Sequence, residues 1–204
     1  LEVYQSKRLV VHYAREKIVE TVLEDDRFDY VWWLDDDMTF PPDALVRLLR
    51  HKKPVVTALA YQRKEPYLPC IFEWESLEGK EPVHRDGRPA EGYAGHFKHL
   101  ENWEHTGLRK IDGCGSACVL TEVEVFQKLK EQGKRPFFDN KKFGEDLHFA
   151  TLCMEAKPRI QLYCDTDLVI GHIGEPVVVD EALVARYKAH KRAQAQQQLL
   201  VNAP

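Results

Sequence analysis

The sequence predicts an α/β fold, in which a mostly parallel, twisted sheet carries helices on both faces and a small antiparallel region beside it. Three observations support this. The first 61 residues alternate helix, strand, helix and strand patterns; both strand patterns are apolar on their two faces, as fully covered strands are; and three more helical patterns follow, with short β-prone runs between them. With 204 residues, 44% of them hydrophobic and 10% aromatic, the chain is long enough to bury one sizeable core.

Between residues 5 and 25, Val11, Ala14, Ile18 and Val22 stand at helical spacing among charged residues, predicting an amphipathic helix that lays this stripe on a sheet. Residues 29–34 contain the β-prone run Tyr-Val-Trp-Trp-Leu and stop abruptly at Asp35-Asp36-Asp37. Pro41, Pro42 and Asp43 then open a helix that turns Ala44, Leu45, Leu48 and Leu49 inward. Residues 54–61 (PVVTALAY) form the next strand. From 62 to 106 the composition shifts to Gly, Pro, His and charge, which predicts an irregular region with small antiparallel strands. Residues 108–120 predict two short strands around Gly113-Cys114-Gly115-Ser116, and 122–132 a helix with Val123, Phe126 and Leu129 inward. A loop with Phe137 and Phe138 leads to Gly144 and a helix whose Leu147, Ala150 and Met154 share a face. Residues 160–170 read as a strand ending in Gly-His-Ile-Gly, and 180–200 as a last helix rich in Ala and Gln.

The bulk numbers narrow the function. Against 33 acidic residues the 29 Lys and Arg leave a net charge of −4, so no basic excess is available for a nucleic-acid backbone and no nucleic-acid partner is expected. The five cysteines are odd in number, scattered and without a C-x-x-C pair. That pattern indicates neither a disulfide framework nor a zinc knuckle, and a cytoplasmic setting is expected. No apolar run approaches the roughly 20 residues that span a bilayer, and no signal-peptide stretch opens the chain. The first residue is Leu1 rather than Met, which suggests a start inside a longer product.

Three consecutive aspartates at the end of an apolar strand repel one another and raise one another's pKa, a cost that a divalent cation removes. Mg²⁺ or Mn²⁺ suits such oxygen ligands and takes one or two carboxylates, leaving positions for water and a substrate's phosphates. A solvated turn, with Asp43 starting the next helix, is the simpler alternative for an arbitrary Asp-Asp-Asp. The hydrophobic strand before it favours a site at the carboxyl edge of a sheet.

The run YVWWLDDDMTFPP, followed by a helix and PVVTALAY, resembles the D-x-D segment of GT-A-fold glycosyltransferases, particularly the small bacterial and phage-type members of family 2. The resemblance implies that Asp37 ligates the metal, that Asp35 meets the ribose or the metal through water, and that Asp36 lies near the donor sugar. Gly144-Glu145-Asp146 is similar to the family's E-D motif, which makes Asp146 the base that takes the proton of the attacking hydroxyl and puts Glu145 at the substrate. Acids also cap helix N-termini, so capping is the alternative for this pair. His172, just beyond the late strand, matches a histidine that completes the metal site; Gly113 and Gly115 match the turn beneath donor sugar or acceptor. Arg15 resembles the Arg of an A-R-N segment, although Glu16 replaces the Asn. Arg63 can face the diphosphate or be a surface charge.

What the resemblance implies is a metal-dependent transfer of a sugar, by inversion, from a nucleotide-sugar donor, most commonly a UDP-sugar, to a carbohydrate or other hydroxyl acceptor. Residues 1–179 then form a GT-A-like catalytic domain and 180–204 a C-terminal helix and tail, which can pack on its own domain or on a neighbour. The family's first strands, which hold the base and ribose, have no counterpart in this sequence. Two rivals keep other features: a nucleotidyl-transfer or phosphodiester enzyme, which needs a second metal, and a non-catalytic sugar-binding or assembly module that retains the fold. Phe137, Phe138 and Trp103 can offer aromatic faces to an acceptor sugar or belong to the core.

Overall fold

The computed structural model describes residues 1–3, 9–76, 95–103, 106–137, 143–174 and 178–201, with side chains as far as 196. Its helices are α1 (Val11–Leu23), α2 (Ala44–Arg50), α3 (Val123–Glu131), α4 (Glu145–Glu155) and α5 (Glu181–Val201). Its strands are β1 (Tyr30–Leu34), β2 (Met38–Thr39), β3 (Val55–Leu59), β4 (Ile71–Ser76), β5 (Gly95–His99), β6 (Leu108–Ile111), β7 (Gly113–Cys114), β8 (Cys118–Glu122), β9 (Leu162–Val169), β10 (Gly171–Ile173) and β11 (Val178–Val179).

A five-stranded sheet in the order β1-β8-β3-β9-β6 forms the centre. Both β1 and β3 pair antiparallel with β8, so those two run the same way; β9 joins β3 in parallel, and β6 returns antiparallel. The sheet is therefore mixed, with one parallel pairing among its four, which corrects the expected mostly parallel arrangement. An apolar run on both faces reports that the faces are covered and carries no information on direction. The strand that changes the pattern, β8, is itself buried along Cys118–Thr121 and so reads like its neighbours.

Alternation along the central strands separates two cores. Val55 and Leu59 of β3, Val119 of β8 and Leu162 of β9 face one side with Val19 and Val22 of α1, Phe126 and Leu129 of α3, and Phe149 and Leu152 of α4. Val56 and Ala58, with Cys118 and Leu120, face the other side with Ala44 and Leu48 of α2. The first turns of α5 add Val184 to the larger core. No helix among the described residues is long and apolar enough to cross a membrane.

Three local expectations change. In α1 the buried positions are Arg15, Glu16, Val19 and Val22, while Val11 is exposed and Ile18 partly buried, so the buried face keeps only part of the predicted stripe and is rotated toward Arg15 and Glu16. The cause is polar: Arg15 meets carboxylates, and Glu16 accepts the Phe137 N–H at 2.9 Å with Arg135 Nε at 3.5 Å. In α4 the buried set is Phe149, Ala150, Leu152 and Cys153 rather than the Leu147, Ala150 and Met154 stripe, since the helix packs into a ring cluster with Phe137 and Phe126. Finally, β6, β7 and β8 do not make a hairpin about the glycine turn. They join different partners, β9, β4, and β1 with β3, so residues 113–116 pass the chain from one sheet to another.

Glu16 is the least expected of these, a buried carboxylate whose removal strands a buried backbone donor. Glu16→Ala is expected to cost about 1–3 kcal/mol, the penalty for an orphaned buried N–H, read as a lower urea midpoint with an unchanged slope.

Candidate functional site

The Asp35–Asp37 turn is held at both ends by backbone pairing. Asp35 N–H donates to the Ala117 carbonyl at 3.1 Å, beside the start of β8. Beyond the turn, β2 pairs with β10 in the register His172↔Met38, and Ile173 N–H donates to the Asp37 carbonyl at 2.7 Å. A three-stranded sheet, β11-β10-β2, thus carries His172 to the acidic turn across 135 positions of sequence. Asp35 and Asp37 are half-buried and Asp36 is exposed.

His172 Nδ1 lies 3.1 Å from the carbonyl oxygen of Tyr61, which can only accept, so Nδ1 carries a proton. A neutral ring then presents its Nε2 lone pair, and that atom lies 3.2 Å from Asp37 Oδ2. Two acceptors at this distance need a positive species between them, either a second proton on the imidazole or a cation. The guanidinium of Arg63, half-exposed, reaches the same Oδ2 from 3.2 Å.

Arg15 ties this turn to the start of α4. Its Nη2 meets Asp35 Oδ1 and its Nη1 meets Glu145 Oε1, both at 2.8 Å, with only 8% of its side chain exposed. Burial raises the Asp35 pKa above the ordinary carboxylate range; Arg15 opposes the rise, and the charges of Asp37 and Glu145 add to it. In this structure the Arg15 fork is committed to protein carboxylates, whereas Arg63 is the more exposed guanidinium at the turn.

Asp146 stands in the first turn of α4, where Gly144 precedes the helix and Leu147 N–H donates to Oδ1 at 2.7 Å. Burial is the main cause of a raised carboxyl pKa; the Leu147 N–H opposes it and Glu145 adds to it. A carboxylate lifted in this way is better matched to taking a proton near neutral pH. Gly115 lies alongside, with a Cβ built there 3.8 Å from Asp146 Oδ2 and 3.4 Å from Cys70 Cβ. Gly113 is tighter, since its Cβ would meet Phe97 Cε1 at 2.8 Å and Leu147 Cδ2 at 3.1 Å. Neighbouring Cys70 and Cys114 stay thiols: burial pushes each up to about 12, with the Asp146 charge adding. All five cysteines are free.

The fold therefore assembles Arg15, Asp35, Asp37, Arg63, Glu145, Asp146, Gly115 and His172 around one end of the central sheet, with Asp36 on the outer side of the turn. Among the described residues, no three His, Cys, Asp or Glu side chains gather into a group that could hold a metal by themselves. Trp103 and Phe137, at 7% and 1% exposed, belong to the core, and Phe138 lies outside the described residues. Two participants had no visible signal in the sequence: the Tyr61 carbonyl that fixes the His172 ring, and Cys70 beside Asp146.

No protein-family model and no curated protein matches the chain. Among solved structures it is similar to the crystal structure of A197 from STIV, with a TM-score of 0.56 over 87% of this chain and 75% of that one, at 19% identity. At that identity the likeness establishes a shared fold.

Because Asp146 binds its proton more tightly folded than unfolded, its charge opposes folding above the ordinary carboxylate pKa. The contribution is absent at low pH and grows as pH rises through the raised native value. Asp146→Asn is accordingly expected to melt at or above the wild-type temperature at pH 7, by about 2–4 °C for each kcal/mol relieved, and to lose that margin at pH 3. Paired thermal melts at the two pH values measure it.

Proposed function

We propose that the chain is a metal-dependent glycosyltransferase with a GT-A-like fold, acting on a nucleotide-sugar, with a UDP-sugar as the donor to test first and Mn²⁺ or Mg²⁺ as cofactor. The observation that carries the reading is the facing pair of acceptors, Asp37 Oδ2 and His172 Nε2, 3.2 Å apart at the D-x-D turn. Two adjacent ligands of an octahedral ion with bonds of about 2.1 Å are separated by about 3 Å, so the pair suits such an ion. The want of a complete protein cage is compatible with this chemistry, since Mg²⁺ sites keep positions for water and substrate phosphates.

Asp37 and His172 would hold the ion, with Asp35 beside them at the ribose or at a coordinated water. When bound, the ion supplies charge stabilisation for the departing diphosphate. The remaining work falls to the chain's own groups. Arg63 can leave Asp37 for a phosphate oxygen without moving the backbone, because its guanidinium is half-exposed. Asp36, on the outside of the turn, faces the donor sugar. Arg15 keeps Asp35 and Glu145 at a fixed separation, which sets donor and acceptor halves against each other. Asp146 accepts the proton of the acceptor hydroxyl as it attacks the anomeric carbon, and a single base opposite the leaving group favours inversion. Gly115 keeps the approach to Asp146 free of a side chain, and Gly113 lets the backbone of β7 lie close against Phe97 and Leu147.

Calorimetric titration of the purified chain with UDP and with GDP, in Mn²⁺ and in chelator, tests the reading. Binding that needs Mn²⁺ and falls at least about tenfold in Asp37→Ala, a change of about 1.4 kcal/mol, is the expected result. A folded chain that binds neither nucleotide sinks the donor site and favours a non-catalytic module. Binding of two metals per chain, with hydrolysis of a phosphodiester, would favour the nuclease-like rival instead.

A further inference from the structure

The ribbon of β4 and β5 has two unlike faces. Its antiparallel register sets Glu73 opposite Lys98, an ion pair of 3.4 Å, and Glu75 opposite His96, 3.7 Å apart, on one side. On the other side Phe72 lies opposite His99 and Trp74 opposite Phe97, with ring centroids 4.7 and 5.0 Å apart. Phe143, just before α4, closes on this aromatic face, 5.4 Å from Phe97 and 6.2 Å from Trp74. None of Phe72, Trp74, Phe97 and Phe143 is fully buried. Phe97 packs against the main core and the rings meet one another edge to face, yet Phe72, Trp74 and Phe143 keep part of their apolar area uncovered.

The position of this row gives it a function. Through β7, which pairs Gly113 with Phe72 and Cys114 with Ile71, the aromatic face is continuous with the two glycines. A Cβ at Gly113 would strike Phe97 and Leu147, whereas one at Gly115 would sit beside Asp146 Oδ2. The rings thus begin one residue along α4 from the carboxylate and lead away from it. At the same end, the His99 ring donates from Nδ1 to the Pro69 carbonyl at 2.7 Å, and Gln62 donates to its Nε2 at 3.4 Å, placing polar groups between the rings and Arg63.

We infer that this ribbon is the acceptor subsite and that the acceptor is a carbohydrate, its ring C–H face lying on Trp74, against which Phe97 and Phe143 stand edge to face, while a hydroxyl reaches Asp146. An aromatic row edged by an amide, an imidazole and a carboxylate matches a sugar, which joins an apolar ring face to a hydroxyl rim. This assignment rests on Asp146 being the base of the reaction proposed above.

Calorimetry and saturation-transfer NMR on the full chain, with cellotriose, chitotriose and maltotriose as probes, test it alongside the Mn²⁺–UDP titration. At least one trisaccharide should bind, and Phe143→Ala and Trp74→Leu should each weaken it tenfold or more. Trp74→Phe, which keeps a stacking ring, should change it less than threefold, and all three variants should bind Mn²⁺–UDP as the wild type does. Circular dichroism identifies any variant that fails to fold, and Phe143→Ala, at the end of a loop, provides the second reading should Trp74→Leu do so. No binding of any trisaccharide, or equal binding by wild type, Phe143→Ala and Trp74→Leu, overturns the acceptor assignment even where Mn²⁺–UDP binds. Ring-dependent saccharide binding without nucleotide binding upholds the subsite and overturns glycosyl transfer alone.

Discussion

The arrangement depends on one buried cation. Arg15 could not remain 8% exposed in an apolar helix interface without partners, and it finds two, Asp35 and Glu145, from segments 20 and 130 positions away. Neither carboxylate is fully desolvated, so the triad gains less than the Coulomb energy of a dry ion pair and depends on its hydrogen-bond geometry. Its larger effect is positional. Because one planar fork meets both acids, α1, the turn after β1 and the start of α4 have a common fixed point. The Phe137 ring, 6.0 Å from the guanidinium, and Glu16, holding Phe137 by its backbone, extend that point into the aromatic core.

Much of the fold was legible because burial leaves a compositional trace. The strands at 30–34 and 55–59 and helices α2, α3 and α4 fall where apolar spacing puts them. Direction was not legible: the two-sided apolarity of β1 and β3 is the same whether a neighbour runs with them or against them, and β8 between them runs against both. The rotation of α1 was also hidden. Spacing analysis treats Arg and Glu as outward-facing, and here the partners that draw Arg15 and Glu16 inward come from distant parts of the chain.

For the site, residue types were legible and their geometry was not. Asp35, Asp37, Asp146 and His172 could be chosen by order along the chain, yet the meeting of Asp37 and His172 depends on the two-residue β2, too short to show a periodicity, pairing with β10. The tautomer of His172 is set by a main-chain carbonyl, which has no signature in any sequence. The aromatic ribbon is the opposite case. Phe72 and Trp74, like Phe97 and His99, alternate at a strand's period, but the pattern acquires meaning only once register places the rings on the side of Asp146.

The acidic turn is anchored by its main chain, through Asp35 N–H and the Asp37 carbonyl, as well as by the Asp35 carboxylate on Arg15. At Asp37, where a backbone hydrogen bond from Ile173 fixes the path, side-chain chemistry and architecture are partly uncoupled. A chain of this architecture can exchange Asp36 or Asp37 while inheriting the same loop path, so shape is here a more durable character than the side chains it displays.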